Sequence, residues 1–427
     1  FTFTFVPAPG ENTFTLTAHD DAGNTGTASR KVWFGHRISV GNSQSVMLSG
    51  GKLYTWGRNE LGQLGNGTLT GTWSASDDAG LPSMYVQNAS NLVSVVTRQT
   101  FMIALASDGT VETWGSNATG QLGYATASDC GTAGTSPCGR TPQAVPGIGD
   151  AVAIAAGFDH ALVLRADGTV LAFGSNALGQ LGSTSVTGST TTPTAVPDLA
   201  NVIAIGATSA NSIALTADGK VFVWGSNQYG QLGTGGTDTN PHATPTEIAG
   251  LTAASIAGAN FTIYARTPEG ELRAWGQNAS GQIGNGTTTT VLTPTAVLTN
   301  ATPATPLTNV ESIAADGFVG LALTHDRKTY AWGLGSLGQL AQGQTGAGAR
   351  DLANRTVASP IYVTPADQPS FTPVELEVGA GGPAFVYTGE GKLFGWGWSF
   401  QGSLGGGGTL INAWAYTTPF LVVPPAP

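Results

Sequence analysis

Charged residues are scarce in this sequence. They make up 10% of its 427 residues, against roughly 25% in ordinary soluble domains. Lysine and arginine together number only 16, and they form no run anywhere along the chain. Because binding to a phosphate backbone depends on clustered basic side chains, we do not expect a nucleic-acid partner. The net charge of −10 points the same way.

Long hydrophobic runs are also missing. No stretch approaches the roughly 20 apolar residues that a membrane-spanning helix needs, so no membrane insertion is expected. The chain starts at Phe1 without a methionine, and no basic segment followed by an apolar one precedes the first strand signals. We therefore interpret the sequence as a processed or truncated chain.

Cysteine occurs only twice, as Cys130 and Cys138. A disulfide is the favoured interpretation, because no other residue nearby could complete a metal site. A pair of free thiols is the alternative. A disulfide would imply an oxidising compartment, and hence an extracellular or cell-surface location.

Glycine is abundant instead, with 62 residues, and hydrophobic residues reach 41%. Together with many Thr, Ser and Asn, this composition suits short strands and tight turns, and it lacks the usual residues of helix surfaces. The first expectation is therefore an all-β fold with a substantial core.

One motif, Trp-Gly-X-Asn-X-X-Gly-Gln-Leu-Gly, recurs seven times. Its aromatic positions lie 51 to 64 residues apart, and the last two copies depart from the motif at several positions. We predict that each aromatic side chain is a wedge between repeats, burying on the order of 150–250 Å². The seven positions are Trp56, Trp114, Phe173, Trp224, Trp275, Trp332 and Trp396.

Each repeat has the same internal order. Two apolar runs are followed by a tight turn such as Asp108-Gly109, a third run ends at the Trp-Gly pair, and a fourth strand is predicted to start at a Thr-Pro step, such as Thr244-Pro245 or Thr372-Pro373. Four short antiparallel strands repeated seven times predict a seven-bladed β-propeller.

On these motifs the chain resembles the regulator-of-chromosome-condensation repeat family, over roughly residues 37 to 423. The resemblance implies that residues 37–427 form the propeller. It also implies a structural, hydrogen-bonding histidine after the small-residue turn, which survives here only as His160. We expect the corresponding position in four other repeats to hold Thr100, Asn211, Phe261 or Val319.

Residues 1–36 do not fit the repeat. Residues 1–5 alternate as in a strand, and residues 12–34 resemble the last strands of a bacterial immunoglobulin-like or hyaline-repeat domain. Because so few strands cannot bury a core alone, they are expected to pack on the propeller or on another subunit, as in a homo-oligomer or filament. Asp20, Asp21 and Asn24 are weak calcium candidates, and a solvated turn is the favoured interpretation.

The expected functional surface is the face that carries the links between third and fourth strands. We predict that every long insertion lies in these links, which places them all on one face of the propeller: 66–81, 124–140, 183–191, 234–243, 285–292, 341–371 and 406–416. Loops held by a rigid scaffold often carry binding residues. The candidate binding aromatics are Trp73, Tyr124, Tyr362, Trp398, Trp414 and Tyr416. Equally, these rings could pack the loops onto the blades.

Catalysis has little support in the sequence. The five histidines are scattered, without a nucleophile motif or metal-ligand spacing, and no cofactor is expected. The leading hypothesis is a secreted or cell-surface binding or adhesion module that recognises a protein or glycan. The alternatives are a secreted inhibitor similar to β-lactamase inhibitor protein II, and a structural subunit of an extracellular filament.

Overall fold

A computed structural model describes most of the chain. It covers residues 10–19, 24–41, 43–49, 52–69, 84–86, 89, 91–126, 128–131, 134–344, 349–365, 368–379, 382–398, 404 and 416–422. Within these residues the fold is all-β, and the one helical element is a 3-10 turn at Gln368–Ser370. The predicted strand at residues 1–5 lies outside the described residues.

Seven consecutive antiparallel sheets form the blades of the propeller. Blade one holds β3 (Ile38–Val40), β4 (Gln44–Ser49), β5 (Lys52–Gly57) and β6 (Met84–Tyr85). Blade two holds β7 (Leu92–Arg98), β8 (Phe101–Ala106), β9 (Val111–Ser116) and β11 (Ser136–Ala144), with β10 (Ser128–Cys130) added outside β11. Blade three holds β12 (Ala151–Ala156), β13 (His160–Arg165), β14 (Val170–Ser175) and β15 (Ser189–Ala195).

The other four blades repeat this order. Blade four holds β16 (Val202–Ala207), β17 (Asn211–Thr216), β18 (Lys220–Gly225) and β19 (His242–Thr252). Blade five holds β20 (Ser255–Gly258), β21 (Thr262–Arg266), β22 (Leu272–Gly276) and β23 (Val291–Ala296). Blade six holds β26 (Val310–Asp316), β27 (Val319–Thr324), β28 (Thr329–Gly333) and β29 (Arg355–Pro360). Blade seven holds β30 (Pro373–Val378), β31 (Pro383–Thr388), β32 (Leu393–Gly397) and β33 (Tyr416–Val422).

Two hairpins stand outside the blades. β1 (Gly10–His19) pairs with β2 (Thr25–Phe34) before blade one. β24 (Leu298–Ala301) pairs with β25 (Ala304–Pro306) between blades five and six. This second hairpin follows a fourth strand, so the prediction that every long insertion follows the Gly-Gln-Leu-Gly motif is wrong at this position.

The repeat motif explains why the blades pack. The indole N–H of Trp275, for example, donates to the backbone oxygen of Gln231 in the preceding blade at 2.8 Å. The same bond to the motif glutamine, at 2.8–3.0 Å, is made by Trp114, Trp224, Trp332 and Trp396. All five indoles are fully buried, as is the ring of Phe173 in blade three, whereas Trp56 is 4% exposed. The aromatic positions are therefore inter-blade wedges, and these five tryptophans also satisfy a buried carbonyl.

The motif asparagine and glutamine hold the turn after the third strand. In blade three the Asn176 Oδ1 atom accepts from the Leu181 N–H at 2.9 Å, and the Gln180 Oε1 atom accepts from the Leu178 N–H at 2.9 Å. These side chains replace the backbone partners that an irregular turn lacks. Their role is structural.

The Thr-Pro prediction needs two corrections. Pro245 and Pro294 lie inside β19 and β23 and do not start these strands. They are tolerated there because an outer strand has one edge without ladder bonds. Thr372-Pro373 does not start the fourth strand of blade six, since Pro373 begins β30 in blade seven. The link 341–371 therefore contains β29 and is not one insertion.

Ring closure uses packing between complete blades. Among the described strands, β3 opens blade one and β33 completes blade seven, so no blade combines strands from both ends of the ring. The Arg37 Nε atom lies 2.9 Å from the Glu375 Oε2 atom, and its guanidinium lies 4.1 Å from the centre of the Tyr387 ring. Trp56 and Phe385 meet edge to face with centroids 6.5 Å apart. These contacts join blades one and seven.

Candidate binding face

The links between strands one and two and those between strands three and four share one face, as predicted. In each blade, a backbone N–H just after the Trp-Gly pair donates to a carbonyl of the first link. In blade two, for instance, Ser116 donates to Thr100 at 3.0 Å. The other six pairs are Arg58 with Ser43, Ser175 with Asp159, Ser226 with Ala210, Gln277 with Phe261, Leu334 with Phe318 and Trp398 with Gly382. We call this surface the insertion face.

Two acidic residues on the insertion face form hydrogen bonds and ion pairs within the links of that face. The Asp238 carboxylate accepts from Asn227 Nδ2 at 2.9 Å and lies 2.9 Å from His242 Nε2. The hydrogen bond from Asn227, followed by that from His242, lowers the pKa of Asp238 to about 2. Asp351 pairs with Arg355. These two carboxylates are therefore occupied within the chain and add little free negative charge to the face.

Cys130 and Cys138 form a disulfide with Cα atoms 5.9 Å apart. Both residues are buried, and the bond lies across the β10–β11 hairpin. The Gly131 N–H donates to the Glu60 carbonyl at 2.9 Å. The disulfide thus closes the hairpin within the insertion of blade two, and the Gly131–Glu60 hydrogen bond joins that insertion to the motif turn of blade one.

The six aromatic candidates have different environments. Trp73 and Trp414 lie outside the described residues. Tyr124 is partly buried, and its hydroxyl donates to the Thr113 carbonyl at 2.9 Å. Burial raises the pKa of this hydroxyl to about 12. Tyr124 therefore fastens its own link to the blade, whereas Trp398 is half-buried at the start of the last link.

Tyr362 and Tyr416 come together at one cleft. Tyr362 follows β29, outside the link between strands three and four, and its ring is 49% exposed. Its N–H donates to the Ala341 carbonyl at 2.7 Å, which brings it beside the insertion of blade six. The cleft has a volume of about 540 Å³, and its described lining is Gln344, Arg350, Tyr362, Thr364, Tyr416, Thr417 and Thr418. We call it the rim cleft, because it lies beside the outer strands β29 and β33.

The register of the family histidine position differs from the prediction in two blades. His160 pairs with Gly174, the glycine of its Trp-Gly position. By the same pairing, blades two and five place Phe101 and Thr262 there, one residue after the predicted Thr100 and Phe261. These turns have the same length, but blade two has Arg98 at the position of the turn glycine and blade five has its glycine one residue earlier, at Gly258, so the Ala-Gly pattern did not fix the register.

His160 is fully buried, and its Nε2 atom lies 3.0 Å from the Ser212 Oγ atom. Burial, and then the nearby Arg98 charge, lower its pKa to about 3. The imidazole is therefore neutral at physiological pH. Buried and held by Ser212, it has the structural role that the resemblance implies.

A charged pair in the central channel was missed by sequence reasoning. Arg98 and Asp316 end the inner strands of blades two and six, and their guanidinium and carboxylate approach to 2.8 Å. Their side chains are only 9% and 3% exposed. The equivalent residues of the other blades are small: Gly41, Gly157, Thr208, Ala259 and Gly379. Comparing this one position across the repeats would have revealed two opposite charges.

Glu377 lines the same channel on blade seven. Its carboxylate accepts a hydrogen bond from the Ser39 hydroxyl at 3.3 Å. Burial, and then the Glu375 and Asp316 carboxylates, raise its pKa well above the usual range. The ionisable groups Arg98, Asp316 and Glu377 thus come from blades two, six and seven, while blades three to five line the channel with Ile, Ala and Gly.

Within the described residues, no cluster of three or more His, Cys, Asp or Glu side chains could hold a metal ion. Of the calcium candidates, Asp20 and Asp21 lie outside these residues, and Asn24 is exposed. None of the described helical segments is long and apolar enough to cross a membrane.

Comparison with known proteins agrees with this geometry. A family model described as RCC1-like domain matches residues 22–382. The ultraviolet-B receptor UVR8 of Arabidopsis thaliana is 30% identical over 399 residues, covering 91% of this chain and 82% of UVR8. The human E3 ubiquitin-protein ligase HERC2 is 30% identical over 72% of this chain, which spans 6% of that protein.

Among solved structures, yeast RCC1 (Prp20) bound to Kap60 superposes with a TM-score of 0.70 at 20% identity, covering 86% of this chain and 82% of that one. This likeness shows the seven-bladed fold. Propellers of this type serve mainly in protein binding or regulation and are mostly non-enzymatic. The family match over residues 22–382 and the UVR8 identity show that the chain belongs to the RCC1-like domain family.

Proposed function

We propose that this chain is an extracellular or cell-surface propeller that binds a partner protein through the insertion face and catalyses no reaction itself. One observation carries the proposal: in all seven blades a backbone hydrogen bond fixes the start of a variable link to the same side of a rigid ring. The start of each link is thereby held in place before binding, which lowers the entropy cost of recognition there.

Two further features support the proposal. The Cys130–Cys138 disulfide on this face suits an oxidising compartment. The insertion face also carries an exposed apolar side chain, Leu352, which is 39% exposed in the link before β29. Yeast RCC1, which has the same fold, was solved bound to Kap60.

The test uses one exposed apolar residue on each face. Partners are captured with the immobilised full chain from its native environment, identified, purified and titrated by surface plasmon resonance. Leu352→Asp on the insertion face is expected to weaken binding about tenfold or more. Ile203→Asp, at a residue 55% exposed near the start of β16 on the opposite face, is the matched control. The proposal is wrong if Ile203→Asp abolishes binding and Leu352→Asp does not.

A glycan partner is the second candidate, and the aromatic lining of the rim cleft favours it. Adhesion and filament assembly stay predictions. Size-exclusion chromatography and electron microscopy of the full chain test the filament, which a strict monomer excludes.

A further inference from the structure

The rim cleft contains one positively charged side chain, Arg350, that has no intramolecular partner among the described residues. Among the described arginine side chains, Arg350 alone makes neither an ion pair nor a hydrogen bond within the chain. The carboxylate of its neighbour Asp351 forms an ion pair with Arg355. It also accepts a hydrogen bond from the Ala353 N–H at 3.1 Å. No carboxylate belongs to the described lining. In a chain with a net charge of −10, this is a local positive site.

The cleft is held open by backbone bonds between three segments. The Gly343 N–H donates to the Thr417 carbonyl at 2.7 Å, the Tyr362 N–H donates to the Ala341 carbonyl at 2.7 Å, and the Asp351 N–H donates to the Gly343 carbonyl at 3.0 Å. These bonds join the insertion of blade six to the segment after β29 and to β33 of blade seven. The position of Arg350 is thereby fixed relative to both tyrosines.

A glycine positions the exposed ring. Gly343 has a φ of 72°, and a Cβ atom there would come within 2.9 Å of the Tyr362 ring. The absence of a side chain lets the ring lie directly on the Gly343 backbone, with about half of its surface exposed to solvent. On the other side of the cleft, Tyr416 packs against Phe420 with ring centroids 5.0 Å apart, which limits its movement.

The chemistry of the lining selects a ligand class. Small-molecule pockets and peptide grooves are usually lined by apolar side chains, but the described lining of the rim cleft contains no aliphatic residue. It offers an exposed aromatic face, the Gln344 amide, threonine hydroxyls and one guanidinium. A sugar ring can stack on an aromatic face while its hydroxyls meet such groups, and a guanidinium binds carboxylates with two parallel hydrogen bonds.

We infer that the rim cleft binds a carboxylated saccharide, with Tyr362 stacking on a sugar ring and Arg350 pairing with the carboxylate of a uronic acid unit. The inference rests on the proposed function only in treating the chain as a binding module. It adds a second site, at the outer rim, to the protein-binding insertion face. The cleft volume of about 540 Å³ lies within the range of small-ligand sites.

The experiment titrates the full chain by calorimetry with a panel of uronic acid oligosaccharides and with their neutral counterparts. Uronates are expected to bind about tenfold more tightly than neutral sugars, because a charged hydrogen-bonded pair is lost with the carboxylate. Arg350→Gln is expected to abolish this preference. Tyr362→Ala is expected to weaken both classes of sugar, and Tyr362→Phe to keep the binding of both.

Arg165→Gln is the matched control, since this arginine lies away from the cleft in an ion pair with Asp150. Thermal melts of each variant separate lost binding from lost folding. The inference is overturned if no uronate of the panel binds, if Arg350→Gln leaves the preference intact, or if hexaglutamate binds equally well through Arg350. A failure here with an intact effect of Leu352→Asp on protein binding overturns this site alone and leaves the proposed function standing.

Discussion

Individual buried side chains in this propeller do work that the repeat pattern does not show. His160 is a good case, because the equivalent position of blade four holds Asn211, whose amide donates to the Trp224 and Ser226 carbonyls at 3.1 and 2.6 Å. Gln44 in blade one donates to Thr97 and Gln99. In blades one, three and four, different polar side chains thus form hydrogen bonds at the same buried position.

We predict a pH dependence from His160. Its pKa is about 3 in the fold, whereas an unfolded chain takes up the proton near pH 6.5. The neutral buried histidine therefore contributes its full stability above pH 6.5, and that contribution is lost as the pH falls from 6.5 towards 3. The slope is at most about 1.4 kcal/mol per pH unit.

His160→Asn, borrowed from blade four, is expected to flatten this slope in urea unfolding between pH 7 and pH 4. His325→Asn, at an exposed histidine, is the control and should leave the slope as it is. An unchanged slope in His160→Asn would show that other groups cause the acid sensitivity.

The wedge tryptophans give a second prediction, which concerns the free energy of unfolding. Trp275→Phe keeps most of the buried ring but leaves the Gln231 carbonyl without its indole donor. We expect the free energy of unfolding to fall by about 1–3 kcal/mol. Trp398→Phe, at a half-buried position, should cost clearly less in the same denaturant titration. Equal effects of the two changes would contradict the wedge role.

At the scale of elements, the composition and repeat spacing predicted the strand order, the seven blades and the shared face of the links. The prediction failed where one local sequence pattern is compatible with more than one position in a blade. A Thr-Pro step fits an outer strand at several positions, so it could not mark a boundary, and Pro373 opens an inner strand instead. The β24–β25 hairpin has no motif that announces it.

The candidate site was predicted in part for a similar reason. Aromatic residues near insertions were recognisable, but only the paired strands show that Tyr124 is turned inward and that Tyr362 meets Tyr416. Arg350 could not be singled out, since its lack of a partner depends on Asp351 being occupied by Arg355. Long-range hydrogen bonds set these relations, and no short pattern encodes them.

The disulfide gives a prediction about the stability of the β10–β11 hairpin. Replacing Cys130 and Cys138 by serine removes the closure of a short loop, which is worth roughly 2–3 kcal/mol in chain entropy. We expect a lower melting temperature and faster proteolysis within residues 128–140. Reduction of the native chain with dithiothreitol should reproduce both effects. An unchanged melt together with unchanged cleavage would show that the hairpin needs no bond.

The whole ring is spanned by the Arg98–Asp316 pair, which connects blades that are not neighbours. Removing one partner of a buried ion pair leaves an uncompensated charge, so Arg98→Met is expected to cost about 3–5 kcal/mol. Arg98→Met combined with Asp316→Leu should cost less than Arg98→Met alone. The measurement is a double-mutant cycle by chemical denaturation.

The Arg165–Asp150 pair is the control for that cycle, because its side chains are 36% and 40% exposed. Exposed pairs are worth about 0–1 kcal/mol, so Arg165→Met should be nearly neutral. If Arg98→Met proves as mild as Arg165→Met, the pair does not hold the ring together.

Because every sheet of the ring is built from one uninterrupted stretch of chain, the polypeptide crosses six of the seven boundaries between blades and leaves the last one uncrossed. At that boundary the described contacts involve a side chain on at least one partner, as between Arg37 and Glu375 and between Trp56 and Phe385. We therefore expect that pulling the two termini apart separates blades one and seven first, while the strands within each blade stay paired.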